Sequence, residues 1–257
     1  KGSVDILAEG GKQYITQWED KDKDTCVKDG KGKEIRDRED SDITLTTKNK
    51  DTGKTETAHN TVTIDAKEGN TANVTLKNVD IEVDTAKTKS GAIEIKGDGD
   101  TNLELNGDNT VLVKNDWEEE HAAIEKADKY GKGTLTIKDD VNNDGTAKTG
   151  TEADTTGKLL AGGCDEAAAI GGGGGEFADT SNITITGGEI TAIGGGDGGS
   201  GIGGGGRPGG AGKNICIEGN AHVTAAGSEG AAIGGGASGG NSITIKDHAG
   251  DSNVGSI

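Results

Sequence analysis

The chain has 257 residues, 48 of them glycine and only 2% of them aromatic, and its formal net charge is −18. The negative charge is spread along the chain without a basic patch, which makes nucleic acid and anionic membranes poor partners. No apolar run approaches the length of about 18 residues that a membrane-spanning helix requires.

Residues 1–40 are irregular and heavily charged, and we expect them to form an N-terminal cap or a loose first coil. The best strand in this segment is Tyr14-Ile15-Thr16. The alternating carboxylates of Asp20, Asp22 and Asp24 offer hard oxygen ligands and are a weaker candidate for a calcium site. Residues 41–257 form the regular part of the chain, beginning with the strands Ile43-Thr44-Leu45 and Val62-Thr63-Ile64.

A short phrase, a small residue followed by isoleucine, recurs along the regular part at spacings of 31, 46, 32 and 31 residues. Its five copies are Ala92-Ile93, Ala123-Ile124, Ala169-Ile170, Gly201-Ile202 and Ala232-Ile233. The last three copies continue directly into glycine. A fixed period of about 32 residues indicates one supersecondary unit that is repeated along an axis.

Two further phrases follow each copy, and both alternate apolar and polar residues as half-buried strands do. One is an aliphatic-x-aliphatic triplet, such as Ile183-Thr184-Ile185, and the other follows a turn, as in Ile190-Thr191-Ala192. No window shows the spacing of an amphipathic helix over ten residues. The sequence therefore predicts an all-β fold, a right-handed parallel β-helix with three short strands in each coil of about 32 residues.

The 46-residue spacing accommodates an inserted acidic loop at 139–156, because a turn of a solenoid tolerates extra residues. This loop contains Asp140-Val141-Asn142-Asn143-Asp144-Gly145, which matches the first half of a calcium-binding loop. We expect Asp140, Asn142, Asp144 and Thr146 to be calcium ligands. The motif requires a glutamate at position 12, but Thr151 occupies that position and Glu152 comes one residue later. The alternative is that this segment is a solvated acidic turn.

Other motifs argue against catalysis. Gly236-Ala237-Ser238-Gly239-Gly240 lacks the strand–turn–helix context of a nucleophile elbow, and the four histidines fall in different phrases. The outward residues of the triplets offer no paired carboxylates, although carboxylates on different coils could still meet in space; these residues are Thr75, Glu104, Thr136, Thr184, Cys216 and Thr244. Of the three cysteines, Cys164 and Cys216 could form a disulfide, which the sequence leaves open.

Aromatic side chains on a polar surface provide stacking platforms for sugars. Trp117 and Tyr130 are the candidate ligand-binding residues. Trp117 is expected to be exposed because three glutamates follow it directly. Trp18, Tyr14 and Phe177 are further candidates, with the alternative that Trp18 and Tyr14 close the end of the solenoid.

The consecutive phrases Ala168-Ala169-Ile170-Gly171-Gly172-Gly173, Asn182-Ile183-Thr184-Ile185 and Gly187-Gly188-Glu189-Ile190-Thr191-Ala192 resemble the glycine-rich β-helical repeats of surface proteins from Gram-positive anaerobes. Such proteins are often described as carbohydrate-binding, and the resemblance, which covers about residues 60–257, implies a β-helix with bound calcium.

Together these observations predict a secreted or cell-surface bacterial adhesin or binding module, without enzyme activity, that recognises a glycan or a host surface protein. A structural stalk of a larger surface protein is the first alternative, and a β-helical polysaccharide lyase or hydrolase is the second. The chain stops in the middle of a phrase at Gly255-Ser256-Ile257, so we expect it to belong to a longer, cell-wall-attached chain without a membrane span in this segment.

Overall fold

The computed structural model describes residues 2–19, 22–49, 51–114, 120–141, 147 and 157–245. Within these ranges the chain is a parallel β-solenoid whose strands are numbered here in chain order. They are β1 (Val4–Glu9), β2 (Lys12–Gln17), β3 (Arg38–Glu39), β4 (Ile43–Leu45), β5 (Val62–Ala66), β6 (Thr71–Lys77), β7 (Asp80–Asp84), β8 (Ile93–Lys96), β9 (Asp100–Asn106), β10 (Asp108–Lys114), β11 (Ile124–Glu125), β12 (Leu135–Lys138), β13 (Lys158–Gly162), β14 (Ile170–Gly171), β15 (Thr180–Ile185), β16 (Glu189–Ile193), β17 (Ile202–Gly203), β18 (Gly212–Ile217), β19 (His222–Ala226), β20 (Ile233–Gly234) and β21 (Asn241–Ile245).

The strands build three sheets, one for each phrase of the repeat, as the periodicity predicts. Sheet I contains the small-Ile phrases in the order β20-β17-β14-β11-β8-β5-β1-β2-β3. Sheet II has the order β19-β16-β13-β10-β7, and sheet III has the order β21-β18-β15-β12-β9-β6-β4. The helical content of the described ranges is one short helix, α1 (Thr85–Thr88), and one 3₁₀ turn (Gly175–Phe177). Neither has the length and apolar character needed to cross a lipid bilayer.

The core is the narrow interior between the three sheets, where equivalent aliphatic residues of successive coils stack on one another. In sheet I, Ile93, Ile124, Ile170 and Ile202 pair in register and are fully buried. Each such side chain contributes roughly 1.5–3 kcal/mol through burial. Because every rung is covered by its neighbours, this stabilisation depends on stacking, as in other repeat proteins.

The register of sheet III differs from the one that the triplets predict. Leu135 of β12 pairs with Thr101 and Ile137 pairs with Leu103, so Thr136 lies beside Asn102 and not beside Glu104. The predicted row of outward residues is therefore displaced by two residues at this rung. The reason is that β9 is seven residues long and places Thr101, which is fully buried, in an inward position usually held by an aliphatic residue.

Within residues 1–40, β1 pairs in parallel with β5 and so belongs to the first coil. The chain then turns back, and β2 pairs antiparallel with β1, while β3 pairs antiparallel with β2. Tyr14-Ile15-Thr16 thus lies in a strand, but in a hairpin that extends sheet I beyond the repeat. Most of the loop 139–156 falls outside the described residues.

Glycine is required at one outward position of sheet I in the later coils. Gly171, Gly203 and Gly234 pair in register and have φ values of +135°, +136° and +132°. A Cβ atom on Gly203 would lie 1.7 Å from the carbonyl oxygen of Gly234, so the backbones of these coils approach too closely for any side chain.

The cysteines do not crosslink the coils. All three lie in the described ranges, and none of them forms a disulfide. Cys164 is buried and donates its thiol hydrogen to the carbonyl oxygen of His121 at 3.3 Å. Its burial raises the pKa of the thiol.

Candidate functional site

The outer face of sheet I carries one row of polar side chains across the first four coils. Asp5, Thr63, Glu94 and Glu125 pair in register, one on each of β1, β5, β8 and β11. Neighbouring rungs of a parallel sheet are about 4.8 Å apart, so this row brings functional groups from distant parts of the sequence close together. The glycine at the equivalent position of β14 ends the row.

A groove of about 810 Å³ lies over this face of β1, β5 and β8. Its floor contains Asp5, Thr63 and Glu94, and one wall is formed by Tyr14 of β2 and by Trp18, which directly follows β2. The opposite wall contains the end of α1 and the residues that follow it. This volume falls within the range of about 300–1,000 Å³ that is typical of ligand sites.

Hydrogen bonds and ion pairs fix the carboxylate of Asp5 in the groove. Its Oδ2 accepts a hydrogen bond from the Trp18 indole N–H at 2.8 Å, and Lys23 Nζ lies 2.7 Å from its Oδ1. The guanidinium carbon of Arg36 lies 5.0 Å from the centre of the Trp18 ring. The indole is therefore held by its edge and stacked against a cation, which orders it as part of the groove wall.

The groove ends at a buried cluster of three side chains, Glu94, His121 and Glu125, called the Glu-His-Glu cluster below. Metal-ligating atoms of these residues all lie within 4.8 Å of one another. Glu94 and Glu125 come from adjacent coils, and His121 precedes β11 in the same coil as Glu125. Glu125 Oε2 lies 2.8 Å from His121 Nδ1 and accepts a hydrogen bond from the Ala122 N–H at 3.0 Å.

Aromatic rings cover the cluster. The Phe177 ring lies 5.5 Å from the His121 ring and 5.2 Å from the Tyr130 ring, measured between centroids. The Tyr130 hydroxyl lies 3.5 Å from Glu94 Oε1. Burial and the two nearby carboxylates raise the pKa of the Tyr130 phenol, so Tyr130 is a neutral hydrogen-bond donor at physiological pH.

The carboxylates of the two glutamates in the cluster differ in the partners that stabilise them. Glu94 Oε2 forms an ion pair with Lys96 Nζ at 2.8 Å, yet burial still raises the pKa of the Glu94 carboxyl. The Glu125 side chain is completely buried, and its Oε1 has no hydrogen-bond partner among the described residues. A buried carboxylate oxygen without a partner is costly, typically by about 1–3 kcal/mol, which makes Glu125 Oε1 the most unusual atom of the site.

A second acidic group lies at the neighbouring turns. Glu120, Asp165, Glu166 and Asp197 lie close enough to one another to affect their titration, and Arg207 Nε lies 3.5 Å from Glu166 Oε1. Burial, followed by the nearby Glu166 carboxyl, raises the pKa of Glu120 to about 7. These carboxyl groups belong to turns between the coils and do not line the groove.

The structure describes only some of the residues predicted for the site. Asp20, Trp117, Asn142, Asp144 and Thr146 lie outside the described residues. Of the calcium candidates that are described, Asp22 and Asp24 are exposed, and Asp22 lines the groove. Asp140 is exposed, and its Oδ2 accepts a hydrogen bond from Lys138 Nζ at 2.7 Å. Tyr130 is half-buried against the cluster, with Lys96 Nζ 4.5 Å from the centre of its ring.

Sequence reasoning missed the Glu-His-Glu cluster although the signal was present. The residue after the repeated isoleucine is glutamate in two successive copies, Glu94 and Glu125, and glycine in the next three. In a parallel solenoid this position is outward and in register, so two successive glutamates form a pair of carboxylates. The paired carboxylates therefore lie on sheet I and not on the triplet strands of sheet III.

The chain was compared with known proteins in three ways. No protein-family model matches it, no curated protein matches it, and no solved structure matches it.

Proposed function

We propose that this chain is an extracellular, non-catalytic module that binds a glycan along the groove on sheet I. The observation that carries the proposal is the combination of Trp18 and Tyr14 in one wall with a floor of fixed polar groups. Aromatic rings bind the apolar faces of sugar rings, and ordered carboxylates and hydroxyls accept or donate hydrogen bonds to sugar hydroxyls. The groove crosses three coils, which suits an extended chain better than a compact small molecule.

The charge of the groove indicates which glycans it favours. Its lining contains five carboxylates and three lysines, and Lys23 and Lys96 already pair with Asp5 and Glu94. An additional anionic group would therefore meet net repulsion. We expect neutral polysaccharides or amino sugars to bind and uronate-rich polysaccharides to be disfavoured.

Burial argues for binding and against hydrolysis at the cluster. Glycosidases need two carboxyl groups that both contact the sugar or the attacking water. Glu94 lines the groove, but Glu125 lies one coil beyond it with a completely buried side chain and has no access to a sugar. The other carboxylate of the row that lines the groove is Asp5, two coils from Glu94. Its oxygens are already bound by the Trp18 indole N–H and by Lys23, which supports a non-catalytic role.

The test is a screen of the purified chain against neutral, amino and acidic oligosaccharides, followed by calorimetry with the best ligand. Trp18→Ala removes the stacking surface and is expected to weaken binding at least about tenfold, which corresponds to about 1.4 kcal/mol. Trp117→Ala is the matched control, because the chain contains only two tryptophans.

Loss of binding in Trp117→Ala with retention in Trp18→Ala would place the ligand at the site first predicted from the sequence and refute the groove. Failure of the chain to bind any glycan would favour a host protein or a structural stalk as its role.

A further inference from the structure

We propose that Glu94, His121 and Glu125 bind one divalent transition-metal ion of the Zn²⁺ class. This site is distinct from the calcium loop predicted at 139–156, and it does not depend on glycan binding. Four observations on the cluster support it.

The first observation is the donor set and its separation. One imidazole and two carboxylates place ligand atoms within 4.8 Å of one another. Ligands of a tetrahedral zinc ion lie about 2.0–2.2 Å from the metal, and therefore about 3.3–3.6 Å from each other. The separation of 4.8 Å exceeds that of a bound ligand set by about 1.2–1.5 Å, so the three side chains would have to rotate toward the ion.

The second observation is the unsatisfied oxygen of Glu125. Its Oε2 already accepts hydrogen bonds that hold the imidazole and the backbone of Ala122, whereas Oε1 is buried without a partner among the described residues. An ion bound to Oε1 would give this oxygen the partner it lacks, and the His121 imidazole would exchange its contact with Oε2 for the ion. Carboxylates that ligate a metal are commonly themselves hydrogen-bonded, as Glu125 Oε2 is by the Ala122 N–H at 3.0 Å.

The third observation is charge. Glu94 and Glu125 bring two carboxylates into a buried site, and Lys96, which is about one-third exposed, is the one lysine paired with them in the described chain. A divalent ion would supply the missing positive charge and displace the ammonium group of Lys96 toward solvent. The mixed nitrogen and oxygen donors favour zinc or a related transition metal over calcium, which takes six to eight oxygen ligands.

The fourth observation is access. Glu94 and Lys96 both line the groove, so an ion can enter the cluster from solvent without disrupting the core. Phe177 packs against the rings of His121 and Tyr130 and would limit the contact of the bound ion with bulk water.

The test is titration of the metal-free chain with Zn²⁺ by calorimetry, with Co²⁺ absorption as an independent report on the ligands. The chain is expected to bind one Zn²⁺ at the cluster with micromolar or tighter affinity. His121→Ala should weaken this binding at least about 100-fold, while His222→Ala should leave it unchanged. His222 is an exposed histidine on β19 of sheet II and is the matched control.

A further variant, Lys96→Met, removes the competing ammonium group and should tighten zinc binding. If His121→Ala does not fold, as judged by circular dichroism, Glu94→Gln replaces it and should weaken binding comparably. The proposal is overturned if the native chain binds no stoichiometric zinc, if the His121 and His222 variants bind alike, or if equimolar calcium displaces the zinc.

Discussion

Replacing Gly203 with alanine tests the central feature of the fold, the close stacking of glycine backbones in sheet I. Gly203 has φ +136°, in a region that residues with side chains rarely adopt. Its added Cβ would lie 1.7 Å from the carbonyl oxygen of Gly234, and that oxygen accepts the hydrogen bond from the Gly204 N–H at 2.8 Å. The substitution therefore strains the backbone and also separates two paired coils.

The expected loss in the free energy of unfolding is the sum of these two effects, backbone strain and a broken hydrogen bond between coils. Backbone strain of this kind costs about 1–3 kcal/mol, and a buried hydrogen bond that is broken with its partners left unpaired costs about 1–3 kcal/mol. We expect the free energy of unfolding to fall by about 2–6 kcal/mol, a large part of the total stability of a typical domain.

The assay is urea denaturation followed by circular dichroism, with two control glycines. Gly30→Ala has open space and an ordinary φ, so its effect should stay within about 0.5 kcal/mol. Gly10→Ala has open space but φ +59°, so it should cost only the strain of a left-handed residue, about 1–2 kcal/mol. If Gly203→Ala is no more destabilising than Gly10→Ala, the close contact between coils that the structure shows does not limit stability.

Two further predictions concern charge. Lys126 is almost completely buried and burial lowers the pKa of its ammonium group, so Lys126→Met should raise the free energy of unfolding at pH 7 by about 1–4 kcal/mol. The pKa of Lys126 is lower in the folded chain than in the unfolded chain, so the native protein should gain stability as the pH rises toward 10.5. The Lys126→Met variant should lack this gain. Identical pH profiles of urea unfolding for the two proteins would contradict this prediction. If the Asp140–Asp144 loop binds calcium, calcium should raise the melting temperature of the chain, and Asp140→Asn should reduce that increase. Equal melting temperatures with calcium and with chelator would refute the predicted calcium site.

The fold could be predicted from the sequence because the repeat fixes the sheets independently of their detailed packing. The isoleucine of each small-Ile phrase has to point inward, and Ile93, Ile124 and Ile170 do pair in register. The register of sheet III could not be predicted in the same way. Its triplets look alike, but Thr101 takes an inward place in β9, and only the packed structure shows that a threonine replaces an aliphatic residue there.

The candidate site was harder to predict because it depends on parts of the chain that do not repeat. The groove exists because β2 turns back as an antiparallel strand, and nothing in the periodicity indicates a hairpin at that place. The cluster depends on His121, which lies outside the phrase and is brought to Glu125 by the turn before β11. Glu94 and Glu125 are different, since their register follows from the repeat itself.

The outward row of sheet I also explains why the Glu-His-Glu cluster lies in the first four coils of the solenoid. The same outward position of sheet I holds Asp5, Thr63, Glu94 and Glu125 in the first four coils and glycine in the next three. In the later coils a Cβ at this position would collide with the backbone of the following coil, as the 2.1 Å and 1.7 Å approaches at Gly171 and Gly203 show. Close stacking and functional side chains therefore exclude each other at this position. Moving the Glu-His-Glu cluster one coil onward would require a side chain at Gly171, so a glutamate there should disrupt the solenoid before it could extend the site.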